Sequence, residues 1–93
     1  MPVRFVVVDD DVSVRKIIRN IIEKHGLGTV AAECADGLAA EKVIAECRPD
    51  IAVVDLLLPG QDGLELIRKM RTQLLPVSFI MISESSSQPM ITQ

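Results

Sequence analysis

The sequence contains no tryptophan and no tyrosine, and its aromatic residues are Phe5 and Phe79 alone. A core must therefore come from Val, Ile, Leu, Ala and Met, which suits aliphatic strands packed under helices. Cysteine is scarce. Cys34 and Cys47 have neither Cys-x-x-Cys spacing nor a histidine nearby, so they make no zinc site and read as two small buried thiols. The apolar runs Phe5 to Val8, Ile51 to Val54 and Phe79 to Ile82 are far shorter than the roughly 18 residues of a membrane span. The start Met1-Pro2-Val3-Arg4 has no apolar stretch of the secretory kind, which predicts a cytoplasmic protein. Basic residues are outnumbered, 10 against 13 acidic, for a formal charge of −3. A nucleic-acid surface needs a net basic face, so direct nucleic acid contact by this segment is not expected.

A chain of 93 residues accommodates one domain, and no internal repeat or linker divides it. Val3 to Val8 is a nearly continuous apolar run, the pattern of a strand covered on both faces. It ends in Asp9-Asp10-Asp11. Val14, Ile17, Ile18, Ile21 and Ile22 then recur at helical spacing, with Arg15, Lys16, Arg19, Asn20, Glu23 and Lys24 opposite them. Asp11 or Ser13 can cap that helix, Gly26 can end it, and His25 complements the dipole at its end. Thr29 to Cys34 predicts a second strand, and Ala35-Asp36-Gly37 a turn into a helix with Ala40, Val43, Ile44 and Cys47 on one side. Pro49-Asp50 breaks that helix, and Ile51 to Val54 predicts a third strand with Asp55 at its end. Pro59-Gly60 and Asp62-Gly63 turn into a helix through Leu64, Ile67 and Met70; Val77 to Ile82 predicts a fourth strand, with Ser83 at its end. The tail Ser83 to Gln93 is rich in Ser and could be a loop, yet Pro89 fits the first turn of a further helix.

Strands alternating with helices predict right-handed βαβ units and a parallel, doubly wound, flavodoxin-like α/β sheet. Ligands of such sheets bind beyond the carboxyl ends of the strands, where strand order reverses. For the order 2-1-3-4 that point lies between the first and third strands, which brings Asp9, Asp10 and Asp55 together, with Ser83 on the next strand. Three crowded carboxylates repel one another, and a divalent cation relieves the conflict. Hard oxygen ligands with room for water and a phosphate favour Mg²⁺. Asp55 could accept a phosphoryl group directly, because a carboxylate is already a nucleophile near neutral pH. No Walker-type glycine loop is present, which argues against nucleotide hydrolysis.

Val8-Asp9-Asp10-Asp11, Pro49-Asp50, Asp55-x-x-x-Pro59, Asp62-Gly63 and the hydroxyl at Ser83 together resemble the receiver domains of two-component response regulators, over essentially the whole chain. The run Asp55 to Gly63 is also similar to that of glutamine-responsive transcriptional regulators. The resemblance implies that Asp55 is phosphorylated by a sensor histidine kinase, and that Mg²⁺ is held by Asp9, Asp10, Asp55 and the backbone carbonyl of Leu57. It implies that Ser83 contacts the phosphoryl group, and that an output domain or effector protein reads the switch, with a transcriptional output the kind expected.

The chain departs from the family in two ways. The lysine that the family places after a fifth strand has no counterpart, and the fifth strand and last helix are expected to be absent, making residues 1–93 a single incomplete receiver. Glu84 stands where a small residue is usual, and is expected to point to solvent. A fourth strand with an unpaired edge predicts self-association through that edge. Two other readings are a receiver-like interaction module without phosphorylation, and a haloacid-dehalogenase-like phosphatase with Asp9 as nucleophile and Asp11 as acid. The latter leaves Asp55 unexplained. Asp11, Asp50 and Asp62 are expected to be caps or turn residues.

Overall fold

The structure, a computed structural model, describes residues 2–59, 61–84 and 89–92; for 83, 84 and 89–92 it describes the backbone alone. The elements run β1 (Arg4–Val8), α1 (Val12–Lys24), β2 (Thr29–Cys34), α2 (Gly37–Cys47), β3 (Ile51–Asp55), α3 (Gly63–Thr72), β4 (Ser78–Glu84) and β5 (Pro89–Thr92). They form one sheet of order β2-β1-β3-β4-β5, in which the first four strands are parallel. The expected 2-1-3-4 order is therefore present.

Alternation along the strands divides the core in two. Phe5, Val7 and Val53 pack with Ile22 of α1 on one face of the sheet. Val6, Val8, Ala52 and Val54 pack with Ala40 and Ile44 of α2 and Leu66 and Met70 of α3 on the other. Side chains buried on both faces explain why β1 and β3 read as unbroken apolar runs.

Each helix begins at an aspartate. Asp11, Asp36 and Asp62 accept hydrogen bonds from the N–H groups of Ser13 (2.8 Å), Ala39 (2.7 Å) and Glu65 (2.9 Å), satisfying donors that the first turn leaves unpaired. Asp50 accepts from the Arg4 N–H at 2.8 Å and ties the start of β3 to the start of β1. His25 ends α1, and Gly26 follows with φ of 62°.

Three expectations are corrected. Residues Pro89–Thr92 do not begin a helix; they form a strand antiparallel to β4, with Glu84 opposite Pro89 and Met81 opposite Thr92. A fifth strand is thus present, although not as a parallel one, and it covers the β4 edge from Met81 to Glu84. Only Ser78 to Ile80 keep an unpaired edge of the kind expected along the whole strand. The third correction concerns α1. Ile17 and Ile21 are exposed, whereas Arg15 and Arg19 are half-buried beside Ile18 and the buried Ile22. Both arginines face β2, where Glu33 pairs with them at 3.2 and 3.3 Å.

Candidate functional site

The pairing of β1 with β3 sets Val8 opposite Val54. The next residues, Asp9 and Asp55, therefore emerge side by side at the same sheet edge, and Asp10 follows in the turn to α1. One carboxylate oxygen from each of Asp9, Asp10 and Asp55 lies within 4.8 Å of the others. They share a cleft of about 340 Å³ with Asp11, Val14, Leu57 and Ile82. All three carboxylates thus stand together as the sequence predicts, and Leu57 lines the same cleft.

The three acids differ in surroundings. Asp9 is buried, at 5 % exposure, Asp55 is half-buried and Asp10 is exposed. Burial raises the Asp9 carboxyl above its ordinary value of 3.8; a hydrogen bond from the Asp11 N–H works against this, and the charges of Asp55, Asp10 and Asp11 add to it. That hydrogen bond is 2.8 Å long and fixes Asp9 Oδ1. The Leu57 N–H donates to Asp55 Oδ1 at 3.1 Å. Asp11 spends its own carboxylate on capping α1, which removes the acid that the phosphatase reading needs.

The loop after Asp55 is held from below. The Gly63 N–H donates to the Leu56 carbonyl at 2.9 Å, and the Leu56 N–H to the Ile82 carbonyl at 2.9 Å. Gln61 is buried and its amide reaches the Gly37 carbonyl and Glu41, both at 3.4 Å, linking the loop to α2. Sequence reading missed Gln61, whose polarity signals a surface loop. It also missed Arg15, whose Nη1 donates to the Asp9 carbonyl at 2.6 Å. Asp55 pairs in register with Ile82, so the backbone of Ser83 follows directly beyond the cleft; the expected roles of the Ser83 and Glu84 side chains lie outside the described residues.

The cysteines are not part of this site. Cys34 is buried and Cys47 half-buried against the core, and burial, with smaller effects from Asp36 and Cys47, pushes the Cys34 thiol up to about 11.

The sequence matches the response regulator receiver domain family over residues 5–93. It is 39% identical over 89 residues to the transcriptional regulatory protein GlnL of Bacillus subtilis, covering 95% of this chain and 28% of that protein. It is 39% identical over 90 residues to the response regulator MprA of Mycobacterium sp. (strain KMS), covering 95% and 38%. The chain thus spans well under half the length of these curated relatives. Among solved structures, a LuxR-family two-component response regulator from Aurantimonas sp. SI85-9A1 superposes with a TM-score of 0.84 at 34% identity, covering 92% of this chain and 61% of that one. The response regulator domain of Thermotoga maritima CheB gives 0.81 at 30% identity, covering 89% and 61%. With the 2-1-3-4 parallel order and the acidic cleft at its reversal point, these matches show that the chain belongs to the response regulator receiver domain family, the signalling domain of two-component systems.

Proposed function

We propose that this domain accepts a phosphoryl group on Asp55 from a sensor histidine kinase, with Mg²⁺ held by Asp9, Asp10, Asp55 and the Leu57 carbonyl. The observation that carries the reading is the convergence of three carboxylates from two adjacent strand ends within 4.8 Å. The donor set fits the ion. The three carboxylate oxygens are hard donors already gathered within 4.8 Å, so small side-chain movements would let them hold one such ion. The cleft also leaves room for water and a phosphate. When bound, Mg²⁺ would neutralise charge on the carboxylates and on the phosphoryl oxygens.

An Asp55 carboxylate oxygen attacks phosphorus, a new O–P bond forms, and the donor's N–P bond breaks with the electron pair leaving on nitrogen. With acetyl phosphate as donor the O–P bond breaks instead and acetate departs. Asp55 needs no general base. Asp9, fixed by the Asp11 N–H, and Asp10 hold positions for the cation rather than take part in bond changes. Ser83, one residue beyond the partner of Asp55 on β4, is the hydroxyl suited to contact the transferred group, biasing a two-state surface that an output domain or effector reads. The likeness to the transcriptional regulatory protein GlnL supports a transcriptional output. A cytoplasmic setting suits such a donor, and among the described residues no helix is long and apolar enough to cross a membrane. The net charge of −3 supports no direct nucleic acid contact by this segment. Self-association, if it uses β4, falls to the Ser78 to Ile80 edge.

The test is phosphoryl incorporation from acetyl phosphate: it should require Mg²⁺ and vanish in Asp55→Asn. Mg²⁺ binding without incorporation would instead favour an interaction module without phosphorylation.

A further inference from the structure

Asp10 is the most exposed of the three acids and sits in a turn, where conformational freedom would cost the site its geometry. Arg15 restrains that turn. Its Nη1 donates to the Asp9 carbonyl at 2.6 Å, and its own backbone N–H donates to the Asp11 carbonyl at 3.1 Å. The Arg15 side chain thereby grips the peptide that precedes Asp10, while the Asp11 carbonyl is held by the ordinary first-turn bond of α1.

The Arg15 side chain is 17% exposed, and its direction is set by a third contact, from Nε to Glu33 Oε1 at 3.2 Å. The other oxygen of Glu33 lies 3.3 Å from Arg19 Nη1, so Glu33 is itself held on both sides. Partly buried ion pairs add little to stability, because desolvation offsets much of the attraction, but they fix geometry. A guanidinium can send Nε to one acceptor and Nη1 to another in a rigid plane; an ammonium cannot reproduce that fork.

We propose that Arg15 and Glu33 are positioning residues for the metal site, acting through the Asp9 carbonyl to hold Asp10 where a divalent cation needs it. The inference rests on the Mg²⁺ reading above. Its sign separates it from simple electrostatics. A cation beside an acidic site repels Mg²⁺, so removing the Arg15 charge would tighten binding if charge were all that mattered. Loss of positioning weakens binding instead.

The experiment is calorimetric titration of Mg²⁺ into the wild-type chain, Arg15→Lys, Arg15→Gln, Glu33→Gln and the Arg15→Lys/Glu33→Gln double variant, with circular dichroism as a check on folding. Arg15→Lys and Arg15→Gln should each weaken binding about tenfold, the lower end for residues that orient metal ligands. Glu33→Gln should weaken it in the same direction, and the double variant no further than Arg15→Lys, since both act through one contact. Ile22→Val, which loosens the packing of α1 without touching the clamp, should keep wild-type affinity. Unchanged affinity in Arg15→Lys, or tighter binding in Arg15→Gln, overturns the inference alone. If Arg15→Gln fails to fold, Arg15→Lys and Glu33→Gln decide the matter in the same way. Failure of the wild-type chain to bind Mg²⁺ overturns the metal-site reading and this inference with it.

Discussion

A β-carbon placed on Gly63 would stand 2.5 Å from the carbonyl oxygen of Asp55, so α3 begins in main-chain contact with the end of β3. The Asp62-Gly63 pair is thus a mounting for Asp55: Asp62 caps the helix and Gly63 lets it approach. Gly63→Ala should force the two apart, lowering stability by about 1–3 kcal/mol in urea denaturation and weakening Mg²⁺ binding together with it. A variant with wild-type midpoint and affinity would show that the contact positions nothing.

The raised Asp9 carboxyl carries a pH dependence. Its folded form holds the proton more tightly than its unfolded form, so in metal-free protein stability is favoured at low pH. It falls as pH rises from the ordinary value of 3.8 through the raised folded value. Asp9→Asn keeps the acceptor for the Asp11 N–H and removes the charge. Near neutral pH without metal the variant should melt higher than wild type, and the gap should close in acid. Added Mg²⁺ should reverse the order. A variant that melts lower than wild type at neutral pH without metal would show that burial of this charge is not destabilising.

Cys34, with its thiol at about 11 and its side chain buried, should resist alkylation in the native state. Mass spectrometry after a brief iodoacetamide pulse should find Cys34 labelled only when denaturant is present. Rapid native labelling would place it outside the core.

The remaining β4 edge, Ser78 to Ile80, is short and unpaired on one side. If the chain self-associates there, light scattering should show mass rising with concentration, and Ser78→Lys, a charge at an exposed edge position, should shift it towards monomer. Association unaffected by this change would assign it to another surface.

The strand order and the acidic cluster were legible because both follow from short-range signals. Apolar runs buried on two faces mark β1 and β3, and an aspartate directly after each needs no further geometry once the two strands pair. The caps at Asp11 and Asp62 were legible for the same reason. The β5 hairpin was not, since pairing of Pro89–Thr92 with Met81–Glu84 depends on a fold-back that composition does not encode. Arg15 and Arg19 read as a solvated helix face, and only their shared partner Glu33, on a strand more than a dozen residues away, turns them inward. Gln61 escaped for a similar reason: its acceptors come from α2.

Whether Asp55 takes the phosphoryl group is decided by finding where that group goes. After incubation with acetyl phosphate and Mg²⁺, borohydride reduction converts an acyl phosphate on aspartate to homoserine, and peptide mass spectrometry locates it. Homoserine is expected at position 55 in wild type, and none without Mg²⁺. Homoserine at position 9, or incorporation that persists in Asp55→Asn, would contradict the assignment.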